Sequence, residues 1–166
     1  MKKILVTGGS GFLGKELIKQ LIKSGGFKVF VLCRSENDEQ TVKTFAQENG
    51  YKDIKIISSS DFFTKMDSYN FDCVVHMAFA RLKKGEEEIA KSIVYSKNVF
   101  SACKNNNVKS LIFVSSQGVY GNRQEIRTVD TPVMPNTTYS MAKYAVEQLL
   151  EEMLNGSDTV YSSLRL

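Results

Sequence analysis

The chain has 166 residues, the size of one domain with a single buried core. It is 42% hydrophobic and 24% charged, as expected of a globular protein, and its net charge of +4 comes from interspersed basic and acidic residues. These values argue against a nucleic-acid-binding stripe, and no apolar run has the length of a membrane span. We therefore expect a cytoplasmic protein that binds neither nucleic acid nor a membrane. Three scattered cysteines and one histidine favour reduced thiols and argue against a metal site.

Strand-like apolar runs alternate with helix-like segments from the first residues onward. The first predicted strand, Ile4–Thr7, ends at glycines, and a helix with apolar residues at helical spacing follows it and stops at Gly25–Gly26. A second strand, Val29–Cys33, precedes a helix predicted for about Glu39–Glu48. The first half of the chain therefore has the pattern of a parallel sheet with crossover helices.

The second half continues this alternation and ends on another strand. Its predicted strands are Ile54–Ile57, Cys73–His76, Leu111–Ser115 and Val160–Leu166, and its predicted helices are Glu86–Lys104 and Thr138–Leu154. Strands that alternate with helices in this way predict an α/β fold, with a doubly wound parallel sheet between two helical layers.

The loop after the first strand fits two phosphate-binding motifs. Gly9–Lys15 matches most of the nucleoside-triphosphate loop, but Glu16 stands where a hydroxyl would ligate Mg²⁺. Gly8, Gly11 and Gly14 instead form G-x-x-G-x-x-G, a relative of the dinucleotide fingerprint. Both motifs offer the N–H groups of a helix N-terminus to phosphate. The loop alone favours the dinucleotide hypothesis and leaves phosphate transfer open.

The helix after the fifth strand carries a phenol and an ammonium one turn apart, Tyr139 and Lys143. A nearby ammonium stabilises phenolate, so we expect it to lower the pKa of Tyr139. Such a tyrosine can exchange a proton with a carbinol oxygen while a hydride moves to or from nicotinamide. Ser116 could hold that oxygen, or Ser115 if the strand ends one residue early. Tyr51–Lys55 has the same spacing but precedes a strand, whereas ligands bind beyond the carboxyl ends.

Four motifs follow one another along essentially the whole chain. They are Thr7–Gly14 (TGGSGFLG), Asp72–Ala80 (DCVVHMAFA), Phe113–Gly121 (FVSSQGVYG) and Tyr139–Lys143 (YSMAK). Together they resemble the extended short-chain dehydrogenase/reductase family of NAD(P)-dependent nucleotide-sugar epimerases, dehydratases and reductases. The resemblance implies an NAD(P)-binding Rossmann fold over residues 1–166 and a dinucleotide loop. Family members continue into a smaller domain that grips the sugar nucleotide, and we expect that domain to be absent from these residues.

The resemblance also implies roles for individual residues. Gly8, Gly11 and Gly14 would cradle the cofactor pyrophosphate, and Phe12 and Leu13 would donate backbone N–H groups to it. The other implied cofactor contacts are Asp61, Phe62, Ala78, Phe79, Ala80, Tyr139 and Lys143, and the implied catalytic set is Ser116, Tyr139 and Lys143.

Several positions have a second interpretation or depart from the family pattern. Asp61 would meet the adenine amine but also suits a turn or a helix cap, and His76 is expected to pack at a strand end rather than to catalyse. Gln117 and Gly118 replace the acidic pair of the sugar dehydratases, which argues against dehydration. Ser92 replaces the asparagine that family members carry on the long helix.

The end of the second strand bears on the choice of cofactor. Cys33 stands where an acid would grip a ribose 2′-hydroxyl, and Arg34 follows it. An arginine suits a 2′-phosphate better, so the sequence favours NADP over NAD, unless Arg34 is only a surface residue.

The resemblance leads to one main functional hypothesis and one alternative. The main hypothesis is an NAD(P)-dependent epimerase or reductase of a nucleotide-linked sugar. The alternative is a non-catalytic NAD(P)-binding module or an inactive fragment of such an enzyme. Helices Glu86–Lys104 and Thr138–Leu154 are expected to pair with those of a second copy as a four-helix bundle. The candidate interface residues are Tyr95, Phe100, Tyr144 and Leu149.

Overall fold

The computed structural model describes residues 1–122 and 126–166 and contains one sheet of six parallel strands. The strands are β1 (Lys2–Thr7), β2 (Phe27–Cys33), β3 (Lys55–Ser58), β4 (Cys73–His76), β5 (Ser110–Ser115) and β6 (Val160–Arg165). They are ordered β3-β2-β1-β4-β5-β6 across the sheet. This is the strand order of the doubly wound Rossmann sheet, so the predicted fold class is confirmed.

Helices cover both faces of the sheet and form two separate cores with it. The α-helices of the described residues are α1 (Phe12–Ser24), α2 (Glu36–Glu48), α3 (Ser59–Lys65), α4 (Glu86–Asn105) and α5 (Thr138–Leu154). Ile18 of α1 and Val42 of α2 belong to one core, whereas Phe62, Phe100 and Leu150 of the other helices belong to the second. The predicted three layers are therefore present.

Strand β1 shows why the central strands are apolar throughout. Leu5 packs into the core beneath α3, α4 and α5, while Ile4 and Val6 pack into the core beneath α1 and α2. Alternate side chains of a strand point to opposite faces, so a strand covered on both sides needs apolar residues at every position. The same constraint makes such strands easy to predict.

Helix α3 was missed by the sequence analysis because it is only seven residues long. Ser58 begins it as an N-cap, with its hydroxyl accepting a hydrogen bond from the amide of Asp61. Phe62 is its buried residue. Too few residues remain for a helical period to appear in the sequence.

The strand order brings several loops together at one edge of the sheet. Thr7 pairs with Leu32 of β2 and with His76 of β4, so the last residues of three parallel strands are neighbours. The chain leaves β1 toward β2 on one side and later enters β4 on the other. In such sheets ligands bind outside the carboxyl ends, where the strand order reverses. None of the helices among the described residues combines the length and apolarity needed to cross a membrane.

Candidate functional site

A cleft of about 360 Å³ lies at this carboxyl edge, within the size range of small-molecule sites. It brings together the glycine loop, the loop after β4, the end of β5 and the start of α5. The predicted site residues in its wall are Gly8, Gly11, Phe12, Leu13, Gly14, Arg34, Ala78, Phe79, Ser116, Tyr139 and Lys143.

Three predicted cofactor residues lie outside this wall. Phe62 is fully buried in the core, and Ala80 lines a neighbouring side cavity instead. Asp61 lies in the first turn of α3, where its carboxylate forms an ion pair with Lys65 at 2.8 Å. The hydrogen bond from Lys65 holds the pKa of Asp61 below its usual range. Asp61 therefore lies where an acidic side chain stabilises the start of a helix, which is close to the second interpretation of this residue, a turn or helix cap.

The glycine loop owes its shape to two close backbone contacts. Gly8 has a φ of 73°, and its carbonyl accepts a hydrogen bond from the amide of Gly11 at 3.1 Å. A Cβ at Gly14 would overlap that same carbonyl oxygen, whereas a Cβ at Gly11 would come no nearer than 3.3 Å to it. Gly8 and Gly14 are therefore needed to close α1 onto the loop. Gly11 leaves the loop surface open toward the cleft.

The N-terminus of α1 is suited to an anion. It has no side-chain cap and no acidic residue in its first turn. The N–H groups of Phe12 and Leu13 precede the first intrahelical hydrogen bond, which the amide of Lys15 donates to the carbonyl of Gly11. Unpaired N–H groups and the positive end of the helix dipole both favour phosphate oxygens. The residues present thus fit the pyrophosphate of a dinucleotide.

Three polar residues of the cleft wall were missed by the sequence analysis: Ser10, Asp38 and Arg81. The Ser10 hydroxyl donates a hydrogen bond to the Asp38 carboxylate at 2.7 Å. Asp38 lies in the first turn of α2, whose N-cap is Ser35. Because this helix follows the carboxyl end of β2, its first turn faces the ligand edge. Attention to the first turn of each helix after a strand would have identified Asp38.

Lys143 occupies the opposite end of the cleft and is almost fully buried. Its ammonium donates a hydrogen bond to the carbonyl of Val114 at 2.7 Å and lies 4.2 Å from the ring centre of Phe79. Burial lowers the pKa of Lys143 to about 7, and the carboxylate of Glu147 opposes this change. The amine therefore titrates close to neutral pH.

Tyr139 lies one turn before Lys143, and its phenol differs from the sequence expectation. Its ring packs edge-on against Phe79, with ring centres 5.8 Å apart. Burial raises the pKa of Tyr139, and Arg81 is the cation that opposes the change. The expected net lowering by Lys143 was wrong for this structure, because removal of water from around the phenol outweighs the charge nearby.

Ser115 ends β5 and Ser116 follows it, and the two hydroxyls have different surroundings. The Ser116 hydroxyl accepts a hydrogen bond from the amide of Gly118 at 3.1 Å and caps a short 3-10 turn. The sequence allowed Ser115 to take the role of Ser116 if β5 ended one residue early. Strand β5 extends through Ser115, so this alternative does not apply. The hydroxyl of Ser115 is buried and forms no hydrogen bond within the described residues.

A buried hydrogen-bond network supports the loop after β4. The Thr7 hydroxyl oxygen accepts hydrogen bonds from the amides of Met77 and Ala78, both at 3.1 Å, so its hydrogen is free to point to His76 Nδ1 at 2.7 Å. His76 Nε2 lies 2.9 Å from the Ser96 hydroxyl. Burial lowers the pKa of His76 to about 3, so the ring is neutral at physiological pH. His76 lies outside the cleft wall and positions the loop from beneath.

Ser92 extends this support to the next turn of the loop. Its hydroxyl accepts a hydrogen bond from the amide of Ala80 at 2.9 Å and donates one to the carbonyl of Glu88. Ser92, which replaces the asparagine of the family pattern, therefore links the loop after β4 to α4 by hydrogen bonds.

An ion pair beside Lys143 joins three elements. The guanidinium of Arg165 donates two hydrogen bonds from Nε and Nη2 to the nearly buried carboxylate of Glu147, and a third from Nη1 to the Tyr120 hydroxyl at 2.9 Å. Glu147 is on α5, Arg165 on β6 and Tyr120 in the turn after Ser116. The contact fixes the segment that carries the Ser116 hydroxyl relative to the helix that carries Tyr139.

Comparison with known proteins places these features in a family context. The model of the NAD dependent epimerase/dehydratase family matches residues 4–166. The sterol-4-alpha-carboxylate 3-dehydrogenase (decarboxylating) of Dictyostelium discoideum is 34% identical, over 90% of this chain and 48% of its own length. The UDP-glucose 4-epimerase of Yersinia pestis is 32% identical, over 90% of this chain and 48% of its own.

A solved structure is similar to nearly the whole chain. The Bordetella bronchiseptica enzyme WbmG in complex with NAD superposes with a TM-score of 0.79 and 26% identity, covering 98% of this chain and 52% of that one. The chain thus spans about half the length of the relatives it matches.

Titration of Lys143 should be visible in the pH dependence of stability. Between about pH 7 and pH 10 the unfolded chain keeps the lysine proton while the folded chain loses it, so stability rises with pH in this window. Lys143→Met removes this contribution. From pH 7 to pH 10, we expect the free energy of unfolding to increase by roughly 1–3 kcal/mol more in wild type than in Lys143→Met. Urea unfolding at several pH values measures this difference, and Lys97→Met, at an exposed site, is the control. If the unfolding free energies of wild type and Lys143→Met changed in parallel with pH, the lowered pKa of Lys143 would be contradicted.

Proposed function

Because the chain belongs to the NAD dependent epimerase/dehydratase family, we propose that it binds a nicotinamide dinucleotide and exchanges a hydride and a proton with a carbinol of a nucleotide-linked sugar. The observation that carries the proposal is the shared wall of the cleft. A phosphate-binding loop stands at one end and Ser116, Tyr139 and Lys143 at the other. Residues 1–166 would form the dinucleotide-binding domain of this activity.

The glycine loop and the first turn of α1 would hold the pyrophosphate. Gly11 allows close backbone approach, and the amides of Phe12 and Leu13 would donate to phosphate oxygens. Met77 and Ala78, held by the Thr7 hydroxyl, would line the neighbouring ribose. When bound, the nicotinamide supplies the acceptor or donor of the hydride.

The residues at the other end would handle the proton. Tyr139 would take the proton of the substrate hydroxyl during oxidation and return it during reduction. Because its pKa is raised by burial, the phenolate needs nearby positive charge, which Arg81 would supply, together with Lys143 in its protonated form. The Ser116 hydroxyl accepts a hydrogen bond from the Gly118 amide, so its hydrogen remains available to the substrate oxygen.

The two relatives described above act on different molecules, a sterol carboxylate and a UDP-sugar. Oxidation of a carbinol to a ketone is common to a nicotinamide-dependent dehydrogenase and to an epimerase that works through a keto sugar. A second candidate function is therefore dehydrogenation of a non-sugar alcohol, favoured by the 34% identity to the sterol enzyme. If the chain binds the cofactor but oxidises neither a nucleotide-linked sugar nor another alcohol, its function would be that of a non-catalytic dinucleotide-binding module.

The preference between NADP and NAD depends on the adenosine end of the cleft. Arg34 forms no ion pair within the described residues, and its guanidinium lies 5.4 Å from the ring centre of Tyr95. It lines a side cavity together with Arg81, Lys83 and Lys84. This excess of positive charge supports NADP as the proposed cofactor. Asp38 and Glu88, in the same wall, are the carboxylates that would oppose a 2′-phosphate.

A homodimer built from α4 and α5 is also proposed, with a revised set of contacts. The two helices pack side by side. Phe100 is fully buried and Tyr95 packs against the same core, so these two candidates face their own sheet. Tyr144 and Leu149 are half-buried, whereas Val94 and Met141 are 59% and 54% exposed. The exposed side chains are the ones that association would cover.

Substitution in the glycine loop tests dinucleotide binding. Gly11→Val should abolish binding of NAD and NADP but leave the fold intact, because the new side chain meets only open cleft and the Gly8 carbonyl. Gly14→Ala is the matched contrast and should lower stability, since its Cβ overlaps the loop backbone. Fluorescence titration and thermal unfolding of both variants provide the readouts. Wild-type affinity in Gly11→Val would refute the site.

A pair of charge variants tests the cofactor preference. Arg34→Leu should weaken NADP binding about tenfold, the scale of one charge-assisted contact, and should leave NAD binding nearly unchanged. Asp38→Asn should instead strengthen NADP binding, because it removes a negative charge from the same wall. Calorimetric titration with each nucleotide measures both. Equal effects of Arg34→Leu on the two nucleotides would rule out a 2′-phosphate contact.

Association through α4 and α5 can be tested by sedimentation velocity at micromolar concentration. Wild type should sediment as a dimer, and Val94→Glu with Met141→Glu should give a folded monomer, because charge is costly in an apolar interface. Leu82→Glu, an exposed leucine outside these helices, serves as control and should remain dimeric. A monomeric wild type would contradict the proposal for this chain.

A further inference from the structure

Ser115 is the polar residue of the cleft wall that the foregoing function leaves without a role. It is the last residue of β5, is 5% exposed and lines the cleft. Its hydroxyl oxygen is buried and has no hydrogen-bond partner within the described residues. A buried hydroxyl without a partner lowers stability relative to one that is paired.

The buried serine and threonine hydroxyls near the cleft are otherwise paired within the described residues. The hydroxyl of Tyr95 is also buried without a hydrogen-bond partner there, but Tyr95 lies outside the cleft wall. Thr7 and Ser96 bond to His76, Ser92 bonds to the loop after β4, and Ser140 closes the capping box of α5. An alanine would fill the space of Ser115 without the unpaired oxygen. The hydroxyl is therefore not explained by any contact inside the folded chain.

The geometry of β5 places this hydroxyl near the proton-transfer end of the cleft. Alternate residues share a face, so Ser115 lies on the same side of the sheet as Phe113 and opposite to Val114. The ammonium of Lys143 lies 4.7 Å from the ring centre of Phe113. Arg34 and Asp38, which mark the adenosine end, follow β2, and two strands, β4 and β1, lie between β5 and β2.

We propose that the Ser115 hydroxyl hydrogen-bonds the nicotinamide riboside half of the bound dinucleotide. This inference rests on the proposed function. Ser115 and Ser116 then have separate tasks: Ser116, whose hydrogen is free beyond the Gly118 contact, serves the substrate oxygen, and Ser115 serves the cofactor. A hydroxyl both donates and accepts, so it suits either a ribose hydroxyl or a carboxamide.

The test is Ser115→Ala, measured for stability and for binding. Without ligand, the variant should be as stable as wild type or more stable, because an unpaired buried oxygen is removed. Its affinity for NADP, or for NAD if wild type prefers it, should fall about tenfold, equivalent to roughly 1.4 kcal/mol. Its affinity for ADP, which lacks the nicotinamide half, should not change. Ser96→Ala, which removes a paired buried hydroxyl, should lower the stability of the free protein.

Three results would overturn the inference. The first is unchanged dinucleotide affinity in Ser115→Ala. The second is an equal loss of affinity for ADP, which would move the contact to the other half of the cofactor. The third is a loss of stability like that of Ser96→Ala, which would mean that the hydroxyl serves the fold. If wild type itself binds no dinucleotide, the proposed function fails together with the inference, and that outcome is distinguished by the wild-type titration alone.

Discussion

The contact between α1 and the loop that precedes it is the constraint on which the rest of the site depends. Gly14, in the first turn of the helix, approaches the carbonyl of Gly8 so closely that no side chain fits between them. This approach places the N-terminus of α1 at the carboxyl edge, beside the end of β1. Because β1 pairs with both β2 and β4, residues that follow all three strands line one cleft with the first turn of α1. The surface that we propose to bind phosphate is formed by backbone alone.

Polar groups beneath and beside this surface keep it in one arrangement. The Thr7 hydroxyl holds two amides of the β4 loop, and neutral His76 links Thr7 to α4. At the far end the buried ammonium of Lys143 is stabilised by a carbonyl and by aromatic faces, with Glu147 one turn away. Burial of such a charge reduces stability, and the pKa of about 7 reflects that cost. Costs of this kind concentrate at functional sites, which agrees with the proposed proton chemistry.

Sequence patterns predicted the features that depend on local periodicity or on spacing within one motif. Val29–Cys33 was recognisable because a strand buried on both faces must be apolar at every position. Tyr139 and Lys143 were recognisable from one helical turn of spacing. The first turn of α2 offered a local signal for Asp38, but its hydrogen bond with Ser10 joins residues 28 apart and exists only once the sheet has formed. The raised pKa of Tyr139 and the full burial of Phe100 likewise depend on packing between elements, which no local pattern encodes.

The central claim is that a dinucleotide binds across the carboxyl edge of the sheet. It is tested most directly by amide nitrogen–proton NMR spectra of the 166-residue chain during titration with NADP and NAD. We expect saturating shifts for residues 11–14, 77–80 and 115–116, with Lys28 and Lys55 at the amino edge unaffected. No saturable shift with either nucleotide, or shifts confined to residues away from the cleft, would contradict it.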